Sequence, residues 1–506
     1  MALNLTGKKI PKLHLRFDQM IELTSLDVNK MKSPTKTIHK KAGKLRRRDF
    51  FKLGALGAAL GATGASQVAG NAASKALDKA TDDTVFKSPG HDPFELKPGY
   101  PYRRFDEINT FQSTGPMRRD AKVIPKMVKF IWPGFDNDQV GYRQVDWALS
   151  KAGQSLKFKM KTLEGKWDQE RFDFTMLDLK PTDMEDDGKK KPDILKILEG
   201  NYVYPEKAPF KTKQEATDAI KRAARLYGAD LVGITPRDER FDYQAFFDPK
   251  NGRRNWKDVP FEPKSVIVMA FEMDYEAMTA APTHVADGAT GDGYSQMHKT
   301  SYQMAVFMKC LGYQAIPSNN DVGLSIPYAV KAGLGEVGRH GLLITYKYGP
   351  RIRLAKIYTD FDFVEYDKPI EFGVQEFCKR CMRCADVCPS NAITKAINPT
   401  YEPEFQDESN WFVNPGFKKY YNNLKKCFDF WVENGNGCSS CISVCPYNKP
   451  DFWHHRLVDK ISAMLPGPVH SFMREMDKIF GYGNTYDEGA VKRFWSSKNK
   501  KYLGYK

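Results

Sequence analysis

Eight cysteines, gathered in two short runs late in this 506-residue chain, constrain its folding more than any other feature. Cys378, Cys381, Cys384 and Cys388 read C-x2-C-x2-C-x3-C-P, closed by Pro389. Cys427, Cys438, Cys441 and Cys445 read C-x10-C-x2-C-x3-C-P, closed by Pro446. Neighbouring cysteines of so tight a loop pair with each other only under strain, whereas their thiolates can converge on one inorganic cubane. The first run has the spacing of bacterial two-cluster ferredoxins, in which the last cysteine of each run crosses to the other cluster. The spacing therefore predicts two 4Fe-4S clusters, one on Cys378, Cys381, Cys384 and Cys445, the other on Cys388, Cys427, Cys438 and Cys441. A structural zinc site is the alternative, disfavoured because zinc favours paired C-x2-C knuckles. The ninth cysteine, Cys310, lies in an apolar helical pattern (YQMAVFMKCLGY) and is read as a packed core thiol.

The opposite end carries a different signal. Arg47 and Arg48, then Asp49, Phe50, Phe51 and Lys52, precede a short Gly/Ala-rich apolar stretch from Leu53 to Ala65. That order is the twin-arginine export pattern. The stretch is too short for a bilayer's hydrocarbon core, which needs about 20 residues, and no permanent transmembrane helix is expected elsewhere. Small residues around Ala65 to Ala73 suit signal cleavage. The n-region is long, with 46 residues before Arg47, which leaves a misassigned start codon open. A basic tail beside a Gly/Ala linker is the bland reading. Twin-arginine export carries proteins already folded, which suits a chain whose clusters are inserted before it leaves the cytoplasm.

The net charge of +16 is concentrated here: residues 1–52 hold 14 Lys/Arg against 4 Asp/Glu. The remainder is only mildly basic and has no basic stripe interleaved with aromatics, so nucleic-acid binding is not the expected role. A 41% apolar fraction, 13% of the chain aromatic, is ample for two or three buried cores.

Five regions follow from this: 1–75 signal peptide and leader; 76–205 an irregular, loop-rich stretch wrapped on something else; 206–370 a mixed α/β core; 371–460 the ferredoxin-like domain; 461–506 a C-terminal tail. In the core, KQEATDAIKRAARL has helical spacing through Leu226, with Gly228 as a stop and a strand from Leu231 to Ile234. SVIVMAFEM, Ser265 to Met273, reads as a buried strand. Helix is expected from about Ser301 to Leu311, a strand near Tyr313 to Ile316, and a Gly-rich loop from Gly333 to Gly341. LLITY and IRLAKIYTD, separated by KYGPR, read as an antiparallel hairpin. Gly333, Gly335 and Gly338 satisfy G-x-G-x-x-G, but without a clear preceding strand or a following acidic residue. Tyr294 (GDGYSQM), Asn320 (PSNNDVG) and Arg353 (GPRIRLAK) each sit at a Gly- or Pro-marked boundary read as loop; a tyrosine donates a proton when a neighbouring guanidinium stabilises its phenolate.

These motifs carry a resemblance. RRDF with its apolar segment, AARLYGADLVGI, EPKSVIVMAF, KCLGYQAIPSNNDVG, AGLGEVGRHGLLIT, GPRIRLAKIYTD, DKPIEFGVQEFCKRCMRCADVCP and the closing FGYG resemble the catalytic subunit of the corrinoid-dependent respiratory reductive dehalogenases. The resemblance implies an α+β fold: a nitroreductase-like, corrinoid-binding core followed by a ferredoxin-like domain with two 4Fe-4S clusters. It implies a catalytic Tyr294 with Arg353 and Asn320 as partners, a corrinoid-handling loop including Gly333, Gly335, Glu336 and Gly338, and substrate-pocket positions at Thr290 and Trp431. Residues 76–205 align poorly. No D-x-H-x-x-G stretch occurs, in keeping with a base-off, cobalamin-type corrinoid.

What the resemblance further implies is terminal reduction in organohalide respiration, removing halide from a chlorinated or brominated ethene, alkane or aromatic. It also implies peripheral attachment to the outer face of the cytoplasmic membrane through a small integral-membrane anchor protein, an upstream electron donor (a quinol chain or hydrogenase), and no nucleic-acid partner; a homodimer is compatible with it. Two other readings stay open: an enzyme like epoxyqueuosine reductase, cytoplasmic and acting on transfer RNA, and an exported ferredoxin-type subunit that only relays electrons.

Overall fold

The computed structural model describes residues 86–110, 134–155, 203–248, 252–406, 412–450, 474, 477 and 483–496, all within one compact unit, Ser66–Lys506. The leader with Arg47 and Arg48, and most of the closing FGYG motif, lie outside the described residues.

The core is a four-stranded antiparallel sheet of order β1-β2-β6-β3, formed by Leu231–Pro236 (β1), Ser265–Glu272 (β2), Ile352–Thr359 (β6) and Ala315–Ser318 (β3). Successive side chains of a strand point to opposite faces, and here both faces are buried. Ile267, Met269 and Phe271 of β2 join Ala355 and Ile357 of β6 in one apolar cluster. Val266, Val268 and Ala270 join Leu354 and Tyr358 in another. This explains why SVIVMAFE is apolar without alternation: it is a central strand covered twice.

Helix α2 (Lys213–Leu226) covers the first face with Ala216, Ile220 and Ala224, four residues apart. Thr212 caps it by accepting from the Glu215 N–H at 3.1 Å. Beside it runs α3 (His284–Cys310), a 27-residue helix. The sequence pattern predicts only its last third, because the first half is buried on almost every side and shows no amphipathic stripe. Its glycines make that burial feasible. A Cβ at Gly291 would lie 2.5 Å from Gln154 Cγ, and one at Gly288 would lie 3.0 Å from Leu149 Cγ, so α1 (Gln144–Gly153) can seat directly against it. Tyr294 therefore stands mid-helix and not in a loop. Cys310, read as a core thiol, is exposed at the end of α3, past the last residues of the buried face.

The opposite face is covered by α4 (Ser325–Lys331), through Tyr328 and Ala329, and by Phe94, Leu96 and Tyr102. The N-terminal stretch pairs at Lys87 with Glu371 and at Leu96 with Phe417. The LLITY/IRLAKIYTD hairpin is not formed. Leu343–Ile344 (β5) pairs with Glu336–Val337 (β4), and the chain turns at Thr345–Gly349 before β6 enters the sheet centre. A strand as buried as β6 needs a neighbour on each side, and β2 and β3 supply them.

The cysteine-bearing segment follows, with α5 (Val374–Arg380) and α6 (Leu424–Asn434) and two one-turn helices at Arg383–Asp386 and Ser440–Ser443. Helix α7 (Glu488–Ser496) closes the described chain. The whole is a mixed α+β protein. Among the described residues no helix is long and apolar enough to cross a membrane.

Candidate functional site

The core site forms where α3 crosses β6. Gly293 has no side chain, and a Cβ there would fall 2.9 Å from Arg353 Cγ. The arginine stem passes through that gap. Its guanidinium carbon then sits 4.8 Å from the centroid of the Tyr294 ring, in cation–π contact. Asn320, in the loop after β3, donates from Nδ2 toward Tyr294 Oη at a long 3.5 Å. The structure thus brings together Tyr294, Arg353 and Asn320 from three elements. Arg353 Nε is buried with no hydrogen-bond partner among the described residues, so a donor is held beside the phenol.

A residue that sequence reasoning passed over fixes this loop. Lys356, fully buried in β6, donates from Nζ to the Asn319 carbonyl and to Ser325 Oγ, both at 2.7 Å. Ser318 Oγ donates to the Asp321 carbonyl, and the Asn319 N–H donates to Asp321 Oδ1, also at 2.7 Å each. The signal was a lysine inside an otherwise apolar strand: a buried cation demands acceptors, and here they are the backbone and hydroxyl of the neighbouring loop.

Thr290, one turn before Tyr294, is buried and lies 3.4 Å from Ser439 Oγ of the cysteine segment. Asp287, a further turn back, accepts from the Gly437 N–H at 3.1 Å, from Ser150 Oγ at 2.5 Å and from Gln154 Nε2 at 2.7 Å. These contacts tie the buried half of α3 to α1 and to the loop before Cys438. Trp431 packs with Phe412, Phe428 and Val432.

The cysteines gather in two sets. Cys445 is buried beside Cys378 and Cys381, and Cys384 has Cys378, Cys445, Cys441 and Cys381 as electrostatic neighbours. Cys427 faces Cys441, Cys438 and Cys388. The last cysteine of each run therefore crosses to the other set. Among the described residues no three His, Cys, Asp or Glu side chains are grouped as for a single metal ion. The first set instead lines a cavity together with Arg339, His340, Ile344, Phe377, Pro446 and Tyr447. Four sulfurs around a largely apolar space suit a polynuclear cluster. Burial pushes the thiols of Cys378 and Cys441 up to about 12; cluster assembly has to displace those protons.

The glycine loop forms the joint between core and cysteine segment. Gly333, with φ of 71°, follows α4 in the left-handed region, and a Cβ at Gly335 would collide with the Ile344 carbonyl at 2.1 Å. Glu336 is buried, and its Oε1 accepts from the Phe372 and Val374 N–H groups at 2.6 and 3.1 Å, anchoring the start of α5. Burial holds its carboxyl up at about 7. Arg339 has no solvent exposure. Its guanidinium donates to the carbonyls of Cys378, Cys381, Thr394 and Ala396, and its backbone N–H lies 3.4 Å from Cys378 Sγ. Gly333, Gly335 and Glu336 thus each have an occupation within the chain where the core meets the cysteine segment, and the Gly338 N–H donates to the Leu342 carbonyl at 2.9 Å. Sequence reading missed Arg339, whose neighbours gave no hint that a cation there is buried.

Comparison with known proteins accords with this build. Residues 377–448 match the 4Fe-4S double cluster binding domain. The tetrachloroethene reductive dehalogenase of Desulfitobacterium hafniense is 39% identical over 333 residues, 57% of this chain and 59% of that protein. The enzyme of the same description from Sulfurospirillum multivorans is 35% identical over 298 residues, 53% and 57% of the two chains. A solved catabolic reductive dehalogenase shares the fold, with TM-score 0.59 and 21% identity, covering 81% of this chain and 50% of that one. The chain is thus similar to an iron–sulfur class of proteins, the reductive dehalogenases, and spans less than two thirds of the length of these curated relatives.

Proposed function

We propose that the chain catalyses reductive dehalogenation of an organohalide, R–X + 2 e⁻ + H⁺ → R–H + X⁻, as the terminal reductase of an organohalide-respiring chain. The observation that carries this reading is the convergence of Tyr294, Arg353 and Asn320 in a core followed by a two-cluster domain, in a homologue of proteins described as tetrachloroethene reductive dehalogenases. Chlorinated or brominated ethenes, alkanes and aromatics are the substrates proposed.

The two electrons enter one at a time through the clusters on the two cysteine sets. The proton comes from Tyr294 Oη. The Arg353 guanidinium over its ring and the Asn320 amide on its oxygen stabilise the negative charge that proton loss leaves on the phenolate, and the same cation favours a departing halide. Burial of Tyr294 and of α3 around it keeps bulk water from competing as proton source. Thr290 and Trp431 are assigned to the substrate pocket. A base-off, cobalamin-type corrinoid is the cofactor proposed for the core. Arg353, whose buried Nε has no hydrogen-bond partner among the described residues and lies beside Tyr294, supports that reading as a group that would hold the corrinoid. When bound, it supplies a strongly reducing, nucleophilic cobalt able to break a carbon–halogen bond.

The twin-arginine pattern supports export to the outer face of the cytoplasmic membrane, with attachment through a small membrane protein and electrons from a quinol chain or hydrogenase. The function is tested by anaerobic reconstitution with iron, sulfide and corrinoid, then a panel of halogenated ethenes, alkanes and aromatics under reduced viologen. Stoichiometric halide release is expected from at least one class; full cofactor loading with no halide released from any rejects the reading.

A further inference from the structure

The ring of His340 reaches the cavity of the first cysteine set. It is 8% exposed and lines that cavity with Cys378, Cys381, Cys384 and Cys445. Its orientation is fixed from two sides. The Leu342 N–H donates to Nδ1 at 3.2 Å. Gly338 leaves room for the other edge, since a Cβ there would lie 2.9 Å from His340 Cε1 and 3.3 Å from Nε2.

An Nδ1 that accepts a hydrogen bond carries no proton, so the proton of the ring sits on Nε2. Nε2 is buried and has no acceptor among the described residues. A buried donor left without an acceptor costs about 1–3 kcal/mol, so the position makes sense when the cavity itself provides one. The sulfurs of a cluster are such acceptors. Hydrogen bonds to cluster sulfur favour the reduced, more negative state and raise the reduction potential.

We propose that His340 donates an Nε2–H hydrogen bond to a sulfur of the cluster held by Cys378, Cys381, Cys384 and Cys445, and thereby raises that cluster's reduction potential. The inference rests on the two-cluster reading and goes beyond it by assigning a tuning residue, supplied by the core, to one cluster and not the other.

The test is an EPR-monitored redox titration of holoprotein with His340→Leu and His340→Gln. At a fixed solution potential, the reduced-to-oxidised ratio of one cluster should fall about tenfold in the leucine variant, equivalent to about 59 mV for one electron. The other cluster should stay where it was, and glutamine, which keeps an N–H donor, should restore part of the shift. Two unmoved potentials at full iron loading overturn the proposal, as do equal shifts of both clusters or a glutamine variant identical to leucine. If the leucine variant fails to assemble, pulsed EPR of reduced wild-type protein labelled with ¹⁵N-histidine decides. A weak nitrogen coupling supports the hydrogen bond. No coupling, or one as strong as a directly bound nitrogen, overturns it. Wild-type protein that binds no cluster refutes the cysteine assignment itself, a distinct failure.

Discussion

The cysteine sets and the Tyr294 site are assembled in opposite ways. Seven of the eight sulfur positions lie within one turn of helix or one tight loop of another member of their run; tertiary structure is needed for Cys427, with ten residues between it and Cys438, and for the crossing of Cys388 and Cys445. Tyr294, Asn320 and Arg353 come instead from a helix, a loop and a strand, and meet only because Gly293 lets α3 close on β6. The first arrangement is written in spacing; the second is a product of packing. Damage to each should therefore look different: loss of a metal centre in one, loss of chemistry in an assembled protein in the other.

The largest effect should follow Cys445→Ser, which takes the crossing ligand from the first set. Iron analysis and EPR are expected to show one cluster lost, with reductive turnover abolished. Two intact clusters in that variant would break the pairing described here. Next is Tyr294→Phe, expected to keep both clusters and the fold while halide release falls by about 10²–10⁴-fold, the usual contribution of a positioned general acid. If turnover persisted, the contrast between assembly and chemistry would fail.

The joint between the two regions should give intermediate effects. Arg339→Met leaves four carbonyls around the first set without their donor, and the apparent Tm should drop by the equivalent of about 4 kcal/mol. A negligible change would mean the cysteine segment holds its shape without the core. The smallest effect concerns pH. Burial holds Glu336 up at about 7 against an ordinary value of 4.5. The folded state thus binds this proton more tightly than the unfolded chain, and the stability it brings is fully present below about pH 4.5 and is lost as pH rises through 7. Glu336→Gln, permanently neutral, should flatten that part of a Tm-against-pH profile by on the order of 2 kcal/mol. An unchanged slope would show that Glu336 stays ionised at the joint.

The same contrast governs what could be read beforehand. Helix α2 and strand β2 were legible because a one-sided helix and a twice-covered strand leave plain patterns. The first half of α3 was not, since a helix enclosed by α1, the sheet and the cysteine segment reads as a Gly/Ala/Asp string with no preferred face. IRLAKIYTD looked like a hairpin partner of LLITY by proximity in sequence, whereas its two-sided burial sends it to the middle of the sheet. Tyr294, Asn320 and Arg353 were singled out by resemblance to a family, not by spacing. Lys356, Arg339 and His340 escaped because a polar residue's burial is decided by partners distant in sequence.

In the proposed function, two clusters on crossing sets of cysteines deliver electrons to a corrinoid seated against Tyr294. EPR of anaerobically reconstituted wild-type protein, with iron and cobalt counted per chain, examines both halves of that proposal at once. Two interacting cluster signals and one base-off Co(II) signal per chain are expected. Eight irons per chain with no cobalt taken up would rule it out.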